Sequence, residues 1–210
     1  MRVVDQTWEW LQKPVRSLEL IELAGRTCYK SESRIAVGSA EKFTKMILEL
    51  GHETVLEHIS ASVRFITNRG VTHELVRHRL ASYSQESTRY VRYHDQITFI
   101  KPVWWDDPEY PEANKRHWTQ AMEQAEQNYL TALKNGDKPE QAREMLPHSI
   151  KVEIVMTTNL REWRHIFNLR CAKASHPQMR ALMLDCLAGF AKDMPVIFDD
   201  LVARLYQDKL

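Results

Sequence analysis

Residues Ala61 to Tyr90 read ASVRFITNRGVTHELVRHRLASYSQESTRY, and within this stretch the hydrophobic pattern changes its period. Val63, Phe65 and Thr67 alternate with Ser62, Arg64 and Ile66, as in a strand with one buried face, and Asn68-Arg69-Gly70 ends the run. The spacing then predicts a helix over Val71–Leu80, followed by a polar loop. A second strand is expected over Tyr90–Lys101, carried by Val91, Tyr93, Ile97, Phe99 and Ile100 and closed by Pro102.

Working outward, residues 1–12 predict a short strand that turns at Lys13-Pro14, and Ser17 is a plausible N-cap for a helix to Cys28. Tyr29 to Ser33 reads as a loop. Ser39–Leu50 repeats Phe43, Met46, Ile47 and Leu50 at helical spacing and stops at Gly51. After a turn at Trp104–Tyr110, Pro111–Lys134 predicts a long helix with Trp118, Met122, Ala125, Tyr129 and Leu133 on one stripe, and Lys138–Met145 a shorter one. Ile150–Asn159 alternates as a strand. Leu160–Leu169, Pro177–Lys192 and Val196–Tyr206 read as helices, the last two separated at Pro195. The expected fold is α+β, an antiparallel sheet with flanking helices in a single domain over residues 1–210.

Composition narrows the function classes. A formal net charge of +1 argues against a dedicated nucleic-acid binder, so local basic clusters are expected to serve small anions. The apolar runs are too short for a membrane span and the start has no apolar signal region, so a cytoplasmic location is the expectation. Cys28, Cys171 and Cys186 form no C-x-x-C pair, and free thiols are expected. His52-Glu53 is followed by Leu56, and His73-Glu74 by Arg77, where a zincin helix needs histidine, so no metal site is expected. Glycine signatures of Rossmann and P-loop nucleotide sites are missing, as is the G-x-S-x-G nucleophile elbow. Any phosphate must therefore be held mainly by side chains.

Arg77-His78-Arg79 followed by Ser82, Ser84, Gln85, Ser87, Thr88 and Arg89 supplies such side chains. Guanidinium forks match phosphate oxygens, and hydroxyls complete the set. On a helix, Arg77 and Arg79 would point to nearly opposite sides, serving different groups, different parts of one long ligand, or another subunit. For an R-H-R triplet taken by itself, a solvated helix face is the favoured reading over an anion site. Arg170, between Leu169 and Cys171, is harder to place blandly, because a guanidinium near a core needs an anionic or carbonyl partner. A non-catalytic nucleotide- or RNA-end-binding module, with Tyr83 and Tyr90 stacking on bases, stays open on these residues, as does a phosphate-handling hydrolase using His78 and Ser87.

Arg77-His78-Arg79, seven residues, Ser87 and then Arg89 resembles the signature of the flavin-dependent thymidylate synthases. Three further segments are similar to that family in order and spacing. Gly51-His52-Glu53-Thr54 with Glu57-His58 resembles its G-H-x-[ST]-x-x-E-H segment, and Arg143 before Leu146-Pro147 resembles its A-R-x-x-L-P turn. Asn159-Leu160-Arg161, Asn168-Leu169-Arg170 and Ser175-His176-Pro177-Gln178 resemble its C-terminal flavin-binding segment. The resemblance runs from about Thr27 to about Met183. Glu74 stands where relatives often have glutamine, Ser84 and Thr88 where asparagine and glycine are frequent, and His165 where a flavin-contacting asparagine is common.

The resemblance implies synthesis of dTMP from dUMP, with methylenetetrahydrofolate as carbon donor, NADPH as reductant and FAD as hydride carrier, and no enzymic cysteine nucleophile. It implies a homotetramer with FAD sites shared between subunits. Carried over residue by residue, Arg170 and Ser87 are the catalytic candidates. Glu74, Arg77, Gln85, Ser87, Thr88, Arg89, Arg143 and Arg170 are expected at dUMP. Ser31, His52, Thr54, Arg77, His78, Arg79, Leu80, Asn159, Arg161, His165, Leu169 and His176 are expected at FAD.

Overall fold

The structure is a computed structural model and describes residues 1–206. Along the chain come β1 (Arg2–Val4), β2 (Thr7–Gln12), α1 (Ser17–Cys28), α2 (Ser39–Glu49), β3 (Ser60–Asn68), α3 (Arg69–Leu75) and β4 (Ala81–Gln85). Then follow β5 (Thr98–Ile100), α4 (Glu112–Lys134), α5 (Pro139–Ala142), β6 (Lys151–Asn159), α6 (Leu160–Arg170), α7 (Pro177–Asp193) and α8 (Pro195–Tyr206). The fold is α+β: an antiparallel sheet in the order β2-β3-β6-β4 with flanking helices, beside a two-stranded parallel pair of β1 and β5. None of the described helices is long and apolar enough to cross a membrane.

Contacts divide the chain into two compact units. One comprises Met1–Glu9, Arg64–His78 and Tyr83–Val155; the other comprises Trp10–Val63, Arg79–Ser82 and the chain from Met156 on. In the first unit, α4 buries Met122, Tyr129 and Leu133 of the predicted stripe, together with Glu126, while Trp118 and Ala125 are only half-buried. This stripe packs with Ile97, Phe99, Ala142, Ile150 and Val152. Glu126 sits in that apolar stripe because its carboxylate accepts the Ile97 N–H at 2.6 Å. In the second unit, Trp163, Phe167, Phe190 and Phe198 form a ring cluster with centroids 4.9 to 5.9 Å apart. Edge and tilted pairings dominate it, as aromatic quadrupoles favour.

Each unit contains a strand that runs straight into a helix through an asparagine. The Asn68 Oδ1 accepts the Val71 N–H at 2.8 Å and caps α3, and the Asn159 Oδ1 accepts the Glu162 N–H at 2.9 Å and caps α6. Strand and helix therefore join without a loop, which fixes the direction of the side chains in the first turn.

Six expectations are corrected. The helix predicted over Val71–Leu80 ends at Leu75, so Arg77-His78-Arg79 lies beyond it and the helical splay of the two arginines does not apply. His78 is instead buried between an exposed Arg77 and an exposed Arg79. The predicted loop contains β4, because the alternation of Ser82 and Ser84 with Ala81, Tyr83 and Gln85 is a polar-outward strand pattern whose few apolar residues hid it. The strand predicted over Tyr90–Lys101 shrinks to Thr98–Ile100, and Lys138–Met145 becomes α5 plus a 3-10 turn, Arg143–Met145. Residues 1–12 form two strands, and the N-cap of α1 is Arg16 in the left-handed region at φ 52°, with Ser17 already helical.

Candidate active site

In the first unit the candidate phosphate ligands start from α3. Its first residue, Arg69, donates its backbone N–H to the Ile150 carbonyl at 3.2 Å, and Gly70 donates to the His148 carbonyl at 3.3 Å. These bonds pin the start of α3 to the segment following Leu146-Pro147. Thr72 Oγ1 donates to the Arg69 carbonyl at 3.1 Å and accepts from Gln85 Nε2 at 3.0 Å, so Gln85 is tethered to the same helix. The result is a cavity of about 200 Å³ lined by Arg69, Thr88, Arg143, Glu144, Leu146 and Ile150.

Two of the expected dUMP residues, Thr88 and Arg143, thus share one cavity. Arg143 Nε is buried with no hydrogen-bond acceptor, and the nearest carboxylate, Glu144 Oε1, is 3.5 Å away without hydrogen-bond geometry. Such a donor has lost water and gained nothing in exchange. Ser87 and Arg89 do not line the cavity; they form the adjoining turn, in which the Ser87 carbonyl accepts the N–H groups of Tyr90 and Val91 at 3.1 and 2.9 Å. The Arg89 guanidinium lies over the Tyr90 ring, 5.4 Å from its centroid. Glu74 is half-buried on α3, and its carbonyl accepts the Arg77 N–H at 3.3 Å.

Arg69 is the functional candidate that sequence reading passed over, because Asn68-Arg69-Gly70 looks like a strand-ending turn. The usable signal was the asparagine itself, a preferred helix N-cap followed by a helical pattern. His73, further along α3, is held below the usual histidine pKa by partial burial, by the Arg69 charge and by His148, whose ring meets it edge-on at 5.6 Å. The cavity itself is lined by two guanidinium groups, Arg69 and Arg143, and one carboxylate, Glu144. Tyr83 braces the triplet segment, its hydroxyl donating to the carbonyls of Leu75 and His78 at 2.7 and 2.9 Å. Arg77 and Arg79 are exposed, with no side-chain partner among the described residues.

In the second unit, His52 and Thr54 flank Glu53 at the start of a 3-10 turn, Glu53–His58. Two ion pairs fasten this turn to α6. Arg164 Nε donates to Glu53 Oε1 at 3.0 Å and Arg161 Nη1 to Glu57 Oε1 at 2.5 Å. The buried Arg164 also forks onto Asp200 of α8 at 2.8 and 2.7 Å and donates to the Ile197 carbonyl. Arg161, expected at FAD, is thus engaged by Glu57 instead of the neighbouring Glu162. His58, at the end of that turn, is exposed.

His165 and Leu169 are exposed on α6, and Arg170 closes that helix half-buried. Burial raises the Glu162 carboxyl above its usual range, with His165 opposing the shift. The Leu80 carbonyl accepts Thr158 Oγ1 at 2.5 Å, which ties the segment after the triplet to the strand that ends at Asn159. His176 Nδ1 accepts the Gln178 N–H at 3.2 Å and so serves as the N-cap of α7. Ser31 and His52 line one cavity of about 720 Å³ beside α1 and α2. Neither buried cysteine offers a ready nucleophile, since burial pushes the Cys186 thiol well up and Cys171 is also enclosed.

Residues 11–196 match the family model described as thymidylate synthase complementing protein. The flavin-dependent thymidylate synthase of Mycobacterium avium is 35% identical over 196 residues, covering 86% of this chain and 78% of the relative. That of Mycobacterium tuberculosis is 36% identical over 201 residues, with coverage of 86% and 78%. Among solved structures, the UMP/dUMP methylase PolB of Streptomyces cacaoi, bound with 5-Br dUMP, superposes with a TM-score of 0.81 at 25% identity over 97% of both chains.

Proposed function

The chain belongs to the thymidylate synthase complementing proteins, the flavin-dependent thymidylate synthase family, and on that premise we propose that it methylates dUMP to dTMP as one catalytic domain. Methylenetetrahydrofolate is the carbon donor, NADPH the reductant and FAD the redox cofactor, in a cytoplasmic homotetramer. The observation that carries this reading is the cavity in which Arg143 Nε lies buried without an acceptor beside Arg69 and Thr88. A phosphate oxygen is the acceptor that such a donor needs.

In this reading Arg143, Thr88 and the missed Arg69 hold the dUMP phosphate, with Ser87 and Arg89 completing the set from the adjoining turn. Gln85, Glu74 and Arg77 orient the nucleoside. Arg170 stabilises negative charge on the uracil ring, where an electrostatic contribution is worth most. FAD, when bound, accepts and returns the hydride equivalents that no side chain can carry. Arg77 and Arg79, exposed and without a side-chain partner among the described residues, suit an anionic dinucleotide, with His78 and Leu80 between and after them. His52, Thr54, Ser31, Asn159, Arg161, His165, Leu169 and His176 supply the remaining contacts. For Arg161 this requires FAD to displace Glu57.

An absorption spectrum of the freshly purified protein tests the reading. A flavin band that bleaches with NADPH under anaerobic conditions, followed by tritium release from 5-labelled dUMP when methylenetetrahydrofolate is added, is the expected result. A colourless protein that also fails to take up added FAD overturns it.

A further inference from the structure

The cavity beside α1 and α2 in the second unit has features that the residues named above do not use. It measures about 720 Å³, and among its lining residues are the cations Arg26, Arg34 and Lys42 and the apolar groups Tyr29, Phe43 and Met46, with no carboxylate. Glu22, behind the lining, pairs with Arg26, which leaves Arg34 and Lys42 as the charges at the opening that no lining carboxylate offsets. We propose that this cavity binds an aromatic molecule bearing a multiply charged anionic group, the recognition end of a co-substrate that must reach the flavin. That chemistry is shared by the adenosine 2′-phosphate end of NADPH and the benzoylglutamate end of a folate.

The frame of the site is built. Glu22, 2% exposed, accepts Arg26 Nε at 2.7 Å and Ser39 Oγ at 2.7 Å, which holds the start of α2 against α1. The Arg26 guanidinium lies over the Phe43 ring, 4.8 Å from its centroid. A Cβ on Gly25 would meet that ring at 2.6 Å, so only glycine allows the close packing of Phe43 on α1. The Arg26–Phe43 stack is thereby fixed in place before a ligand arrives.

By contrast, Arg34 and Lys42 are exposed and have no side-chain partner among the described residues. Their charges are available to an anion. Tyr29, Met46 and Leu50 are large apolar residues left 78%, 45% and 59% exposed around the same opening, a surface that a ring would cover. Ser31 and His52 line the cavity as well. On the function proposed above they contact FAD, and a hydride or methylene donor must be anchored within one molecular length of the flavin. The inference rests on that reading for the identity of the ligand, though not for its chemical class.

Direct binding to the full chain tests the proposal independently of turnover. Adenosine 2′,5′-bisphosphate and p-aminobenzoyl-pentaglutamate are titrated calorimetrically into the wild type and into an Arg34→Ala/Lys42→Ala double variant. Both substituted side chains are exposed, so the fold is expected to persist. One probe should bind the wild type and weaken on the order of tenfold in the variant. An Arg34→Lys/Lys42→Arg variant should restore its binding, and raised salt should weaken it. The bisphosphate responding identifies the reductant, with the KM for NADPH rising and that for NADH unchanged. The pentaglutamate responding identifies the folate. If neither probe binds, or the variant binds both as the wild type does, the proposal is overturned. Loss of FAD affinity alone would also overturn it, by making the cavity part of the flavin site. Failure of the proposed function shows separately, as absence of flavin and turnover.

Discussion

Arg143 illustrates how a single side chain can be read as waiting for a ligand. Its Nε is buried without an acceptor, a state that costs about 1–3 kcal/mol for a polar group, more when charged. A bound phosphate converts that cost into a charge-assisted hydrogen bond. Arg143→Ala is therefore expected to raise the KM for dUMP by one to two orders of magnitude, since such bonds contribute about 1.5–3 kcal/mol, while FAD affinity stays within about twofold. Arg143→Lys should recover only part of the loss, because an ammonium cannot fork onto two oxygens. Steady-state kinetics with dUMP varied decides; an unchanged KM removes Arg143 from the phosphate site. The sequence had named Arg143 from its place before Leu146-Pro147, but nothing local could show that Arg69 would stand in the same cavity.

At the scale of elements, the 3-10 turn carrying His52 and Thr54 is held by α6 and α8 through Arg164. That guanidinium has 8% side-chain exposure and satisfies Glu53, Asp200 and the Ile197 carbonyl together. Arg164→Met leaves two carboxylates without their partner. Because Asp200 is 55% and Glu53 29% exposed, water compensates for much of this, and a loss of about 2 kcal/mol in urea denaturation is expected. FAD affinity should fall in parallel, since His52 and Thr54 move with the turn. The pH dependence follows in sign. Burial acts to raise the Asp200 carboxyl, but the Arg164 hydrogen bonds and charge outweigh it and hold the pKa below the ordinary 3.8. A depressed carboxyl stabilises the fold above the unfolded value and loses that contribution as pH falls through the folded one. The stability difference between wild type and Asp200→Asn should thus be constant at neutral pH and vanish only below about pH 4. A difference that grew on acidification would contradict the pairing. Element boundaries were the weaker part of the sequence reading: α3 stops at Leu75 because Val76 already caps it, and β4 was hidden by serines.

For the whole molecule, the proposed tetramer needs apolar surface to bury. Leu20 and Leu23 on α1 are 40% and 48% exposed, and Ile35 and Val37 in the following segment 45% and 108%. Sedimentation should give four times the 24.7 kDa chain mass, and Leu20→Glu/Leu23→Glu should dissociate the assembly and release FAD together. A variant that stays tetrameric would place the interface elsewhere; a monomer that keeps its FAD would show that the flavin site is not shared. The sequence by itself determined the α+β class, the buried stripe of α4, the alternating strands β3 and β6, and the arginine- and hydroxyl-rich chemistry, because periodicity and residue type are local properties. It also placed Asn159 at the end of a strand and before a helix, although only the structure shows that its side chain caps that helix. Which cations share a cavity, Arg69 with Arg143 or Arg26 with Arg34 and Lys42, was decided by tertiary structure alone. Side chains far apart in the sequence meet only where helix caps and buried carboxylates such as Glu22 hold their elements together, and no local pattern encodes that closure.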